Sequence, residues 1–126
     1  MDITRLKDNY EYFDTTYFIG TEVELWLKES PEFHLHIDES YFEDILGLNP
    51  IFDGKPWRGF TRDCNEFVGG CDDATEMQDI DEYLTDMLRY KGREFKWEET
   101  PEVFDLIVDF LTYAKQTGQT VVVEVS

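Results

Sequence analysis

Hydrophobic and polar positions alternate in parts of the chain and recur at helical spacing in others. Over residues 15–27, Val23, Leu25 and Leu27 face one way and Glu22, Glu24 and Trp26 the other, the two-residue period of a half-buried strand. Phe33, Leu35 and Ile37 then alternate with His34 and His36. The five residues Lys28-Glu29-Ser30-Pro31-Glu32 between the two runs carry turn chemistry, so the pair reads as a β-hairpin. Upstream, Ile3, Leu6, Tyr10 and Phe13 share a helical stripe behind a capping Asp2, which predicts a helix over 2–13. Tyr10-Glu11-Tyr12 reads equally as the start of a strand.

Two helices in the second half have both period and punctuation. Asp79 caps a stripe of Ile80, Tyr83, Leu84, Met87 and Leu88, with Gly92 as its stop. Thr100 caps a second helix with Pro101 at its first position, a buried stripe of Val103, Ile107, Phe110, Leu111 and Ala114, and Gly118 as the left-handed end. A shorter helix opens at Ser40, where Ser40 and Glu43 form a capping-box pattern, and closes at Gly47 before Pro50. Glu94-Phe95-Lys96-Trp97-Glu98 alternates as a short strand would. Thr120-Val121-Val122-Val123-Glu124-Val125 is apolar enough for a strand inside a sheet. Residues 48–75 are rich in Gly, Pro, Asn and Asp, with weak strand or turn signals near Phe60 and Glu66–Val68. A connection that long is usually functional or hides an element. The elements sum to an α+β fold: one domain over residues 1–126, a mainly antiparallel sheet of three to five strands, and three or four helices.

Charge changes the picture more than any motif. The chain has 29 acidic residues against 11 basic ones, a formal charge of −18 in 126 residues. Hydrophobic residues at 41% and aromatics at 16% still supply a core, which excludes whole-chain disorder. A field of this sign disfavours nucleic acid and anionic lipid and speeds encounter with a basic protein. There is no apolar run of 18 residues and no basic-then-apolar leader after Met1, so neither a membrane span nor a signal peptide is expected. Cys64 and Cys71 are spaced as neither a zinc pair nor a redox pair and read as reduced thiols of a cytoplasmic protein.

Catalytic signatures are missing. Gly69-Gly70 lacks a dinucleotide or P-loop pattern, and no nucleophile motif surrounds either cysteine. Asp72, Asp73, Glu76, Asp79 and Asp81 have the composition of a calcium loop without its spacing. His34-Leu35-His36 puts two imidazoles on one strand face, where Asp38 or Glu39 could complete a zinc site, but a polar outer face is the simpler reading. No enzyme activity, metal or cofactor is therefore expected. From Asp72 to Asp109 thirteen acids stand against Arg89, Lys91, Arg93 and Lys96. Asp72, Asp73, Glu76, Asp81, Glu82 and Asp86 form the expected partner-binding patch, with Trp57 as an anchor beside it.

In size, acidity, aromatic content and absence of catalytic motifs the chain resembles bacterial immunity proteins of contact-dependent growth inhibition and other polymorphic toxin systems. The resemblance implies an antitoxin-like role, in which the chain binds a cognate toxin domain, often a basic nuclease, and blocks it. A nuclease must attract phosphates, so its cleft is positive and complements this field. A DNA-mimic inhibitor, an acidic adaptor and a small enzyme are the alternative classes.

Overall fold

The computed structural model describes residues 1–13, 22–46, 51–52, 55–56, 75–77, 79–88, 91 and 94–125. The fold is α+β. Its main sheet contains β1 (Asn9–Tyr12), β2 (Glu22–Leu27), β3 (His34–Asp38), β6 (Thr75–Glu76) and β7 (Val121–Val125), in the order β1-β3-β2-β7-β6. The β1–β3 pair is parallel and the others antiparallel. A separate ladder joins β4 (Ile51–Phe52) to β5 (Lys55–Pro56). The helices among the described residues are α1 (Glu39–Leu46), α2 (Ile80–Leu88) and α3 (Thr100–Thr117), with a 3-10 turn at Ile3–Leu6.

The expected hairpin is present, with Leu25 opposite Leu35 and Glu24 opposite His36. Val23, Leu25, Leu27, Phe33, Leu35 and Ile37 are all buried, as their alternation requires. β7 pairs with β2 on one side and β6 on the other, so its run of valines lies inside the sheet. Val121 and Val123 join one core cluster with Val103, Phe104, Leu106, Ile107, Phe110, Leu111 and Ala114 of α3. Helix and sheet thus bury the faces their two periods create. Gly118 closes α3 at φ 65° and donates its N–H to the carbonyls of Ala114 and Lys115.

Several local expectations are corrected. The helix over 2–13 is only the 3-10 turn, in which the Asp2 carboxylate accepts from the Thr4 N–H. Asp8 then takes a left-handed φ of 41°, which breaks the helical path, and the following residues pair with β3 as a strand. Of the stripe expected there, Ile3 and Tyr10 are exposed while Leu6 and Phe13 are buried. α1 begins one residue before Ser40, and the Asp38 carboxylate accepts the Ser40 N–H at 2.9 Å. Asp79 does serve α2, accepting the Glu82 N–H at 3.3 Å, but Leu88 at the helix end is half exposed. Residues 94–98 are irregular, bending at Lys96 and Trp97 and turning at Glu98, with no strand among them. Thr100 lies inside α3, and the capping position falls on Glu99, whose side chain makes no capping bond. β4, β5 and β6 carried no recognisable signal. The stops expected at Gly47 and Gly92, and the weak signals near Phe60 and Glu66–Val68, lie outside the described residues.

Candidate functional site: an acidic helix face beside an exposed tryptophan

The expected binding patch is only partly in view. Asp72, Asp73 and Trp57 lie outside the described residues, as does the side chain of Asp86, whose backbone is in α2. Asp81 and Glu82 occupy the first turn of α2, where a carboxylate is favoured by the helix dipole. The Asp81 carboxylate is paired with Lys115 at the far end of α3. Glu76 on β6 is paired with Lys28 at 2.6 Å. Glu76 and Asp81 are thus already engaged by cations, which lowers the net field of that surface.

A second acidic surface runs along α3. Glu102, Asp105 and Asp109 fall at i, i+3 and i+7, one line on the outer side of a helix whose opposite stripe is buried, and Glu98 and Glu99 lie in the turn that leads into it. Glu98, Glu99, Glu102 and Asp105 are exposed and Asp109 half-buried. No lysine or arginine among the described residues pairs with any of these five. Glu102 accepts the Tyr12 hydroxyl at 3.1 Å, which ties β1 to α3. Burial, then that bond, pushes the Tyr12 phenol above its ordinary value.

Trp97 stands at the head of this line, 44% exposed. Its backbone is held by Asp44 of α1. That carboxylate accepts the Lys96 N–H at 2.8 Å, the Trp97 N–H at 3.0 Å and the Thr100 hydroxyl at 2.6 Å. One side chain therefore satisfies two N–H groups of the bend before α3 and the hydroxyl of its first residue. Thr100 is fully buried, so the turn is anchored from within. The Lys96 ammonium lies 5.0 Å from the centre of the indole ring, within cation–π range. A large exposed aromatic whose backbone is latched, beside carboxylates without a cation partner among the described residues, has the make-up of an interface anchor with a charged rim.

The open face of the sheet gathers different groups. Glu22, Glu24 and Trp26 of β2 lie beside His34 and His36 of β3. The His34 Nε2 is 3.0 Å from Glu24 Oε1, and His36 Nδ1 is 3.5 Å from the same oxygen and in close contact with Glu22 Oε1. The His36 ring is stacked between Tyr10 at 3.7 Å and His34 at 4.1 Å. The zinc reading of the sequence chose Asp38 or Glu39 as oxygen donors. Instead Asp38 bonds to Ser40, Glu39 opens α1, and the carboxylates that meet the imidazoles are Glu22 and Glu24 of the neighbouring strand, with Asp8 before β1 within 4.8 Å of both rings' ligand atoms.

Two surface grooves are lined by described residues. One lies among Tyr10, Tyr12, Phe13, Asp38, Ser40 and Tyr41, and the other between the start of α2 and the end of α3. The chain's two histidines line neither, so neither offers a serine–histidine pair. No helix among the described residues is long and apolar enough to cross a membrane. Comparison with protein-family models, curated proteins and solved structures returns no match.

Proposed function

We propose that the chain is a non-catalytic acidic binding protein of the immunity type, which neutralises a basic toxin domain by occupying its positive surface. The observation that carries this reading is the row of carboxylates leading into and along α3, with no lysine or arginine partner among the described residues, beside the exposed Trp97, in a chain of charge −18. The charges steer the encounter and the tryptophan slows dissociation once it is desolvated. Ordinary solvation accounts for scattered acids. It gives no reason for the backbone of an exposed tryptophan to be held among them by a side chain on another helix.

Affinity capture with the full chain from its host, followed by binding kinetics on the purified partner, tests the proposal. The expected partner is a strongly basic toxin domain. Reversing Glu98, Glu102 and Asp105 to Lys is expected to slow association at least tenfold at low salt and to flatten its salt dependence. Trp97→Ala is expected to speed dissociation by a factor equivalent to about 2 kcal/mol, the threshold of an interface hot spot. Rates unchanged in both variants would refute this surface, and the absence of any basic partner would refute the function.

One observation favours a second reading. Carboxylates on one helix face recur about every turn, or roughly 5.4 Å along the axis, and such a row could stand in for a phosphate backbone. On that reading the captured partner is a DNA-binding protein and duplex DNA competes for the same site.

A further inference from the structure

We infer that the open face of the sheet holds a divalent transition-metal site, with Glu22, Glu24 and His36 as ligands and His34 as the group that orients Glu24. One donor atom from each of Glu22, Glu24 and His36 lies within 4.8 Å of the other two. Ligand atoms around a single ion with bonds of about 2.0–2.2 Å stand roughly 3.3–3.6 Å apart in a tetrahedron, so the cluster needs a contraction of about 1 Å or less to close on one.

Three features set this cluster apart from ordinary surface carboxylates. First, it is sheltered. The His36 side chain is 7% exposed, and those of Glu22 and Glu24 are 19% and 18% exposed. Second, both carboxylates converge on one nitrogen, His36 Nδ1. That nitrogen carries at most one proton, which cannot serve two carboxylates fully. No lysine or arginine among the described residues pairs with either carboxylate. A divalent ion balances both charges. Third, the geometry is set in advance by the fold. Glu24 stands directly opposite His36 in the hairpin register, with Glu22 one diagonal step away on the same face. Stacking between Tyr10 and His34 fixes the plane of the His36 ring. The bond from His34 Nε2 fixes the Glu24 carboxylate, the part that outer-sphere partners play around metal ligands.

The donor set decides the class of ion. One imidazole and two carboxylates suit zinc and its first-row neighbours, whereas calcium and magnesium prefer oxygen alone. Three protein ligands leave a further position for water or for a donor from a partner. The site is independent of the acidic face on α3 and stands or falls apart from the toxin-binding proposal.

The test is calorimetric titration of the full, chelator-treated chain with Zn²⁺, in buffer of about 0.15 M salt so that loose binding to the acidic surface is screened. The expected result is one saturable equivalent that excess Mg²⁺ or Ca²⁺ does not displace. Glu24→Gln and His36→Gln are expected to weaken it by about tenfold or more, and His34→Gln by about tenfold through loss of orientation. Glu102→Gln on α3 is expected to leave it unchanged. Far-UV circular dichroism checks each fold. Because His36 is buried, Glu22→Gln serves as the second ligand variant if His36→Gln does not fold. Co²⁺ added to the wild-type chain is expected to give a visible d–d spectrum perturbed in Glu22→Gln. No saturable equivalent, or Zn²⁺ binding equally strong in folded Glu22→Gln and Glu24→Gln, would overturn the site.

Discussion

At the scale of single residues, Asp44 shows how far one carboxylate can act. It sits on α1, yet it accepts two backbone N–H groups and a hydroxyl from the turn that opens α3. Sequence punctuation gave the capping role to Thr100, a residue with the right chemistry next to a proline. The side chain of Thr100 instead donates to Asp44, and no local pattern links positions 44 and 100. Asp44→Ala leaves a buried hydroxyl and two N–H groups without this acceptor, and the expected loss is about 2 kcal/mol. A urea midpoint lowered accordingly, with an unchanged slope, is the check; a loss below about 0.5 kcal/mol would mean that water replaces the carboxylate fully. Glu29 plays a similar part at the other side of the sheet. Its carboxylate accepts the Thr120 N–H and hydroxyl, each at 2.8 Å, and the backbone bond first, then the hydroxyl, lowers its pKa. Asp8 shows the opposite limit of local reading: nothing in its neighbours announces its left-handed backbone, which ends the apolar stripe expected over 2–13.

At the scale of elements, strand period and helix period were read correctly where both faces of an element have distinct environments. The β2–β3 hairpin and the buried stripe of α3 are the clearest cases. The metal cluster was half legible for the same reason. Glu22 and Glu24 were placed on the polar face of one strand and His34 and His36 on that of the next. Antiparallel pairing puts those polar faces on one side of the sheet, so the hairpin register was the signal that would have joined them. The α3 acid row was equally available, because its spacing follows from the helix whose apolar stripe was recognised. The strand expected at 94–98 failed because alternation over five residues is weak evidence, and the turn's N–H groups found a side-chain acceptor in place of a ladder. Gly118 offers a test of helix punctuation. A Cβ there would meet nothing within 4 Å, so any cost of substitution comes from the backbone at φ 65°. Gly118→Ala is expected to destabilise by about 1–2 kcal/mol, and Gly118→Asn by less, since Asn tolerates the left-handed region. Equal stability of all three proteins in thermal melts would show that the end of α3 relaxes to another conformation.

For the whole molecule, the dominant quantity is charge. At −18 the folded chain repels itself, and the repulsion is strongest when salt is scarce. Raising ionic strength from about 0.01 to 0.15 M shortens the screening length from roughly 30 to 8 Å. The melting temperature is expected to rise over that range, by about 4 °C for each kcal/mol of repulsion relieved. A fall instead would mean that ion pairs such as Lys28–Glu76 and Asp81–Lys115 outweigh the net repulsion. The same field belongs to the proposed function, because a positive partner supplies the screening that salt supplies in the melt.

The sequence by itself determined the α+β composition, the hairpin, the two long helices with their buried stripes, and the sign and size of the field. Those properties follow from periods of two and 3.6 residues and from a sum of charges, all of which are local or additive. The tertiary structure alone decided which of the described acids meet a cation, where the backbone of Trp97 is latched, and which carboxylates meet the histidines. Each of these depends on residues far apart in the chain: Lys115 reaches Asp81, Asp44 reaches Trp97, and Glu24 meets His36 across the hairpin. A charge is free or neutralised according to its neighbours in space, and those neighbours exist only once helix and sheet have packed on one core.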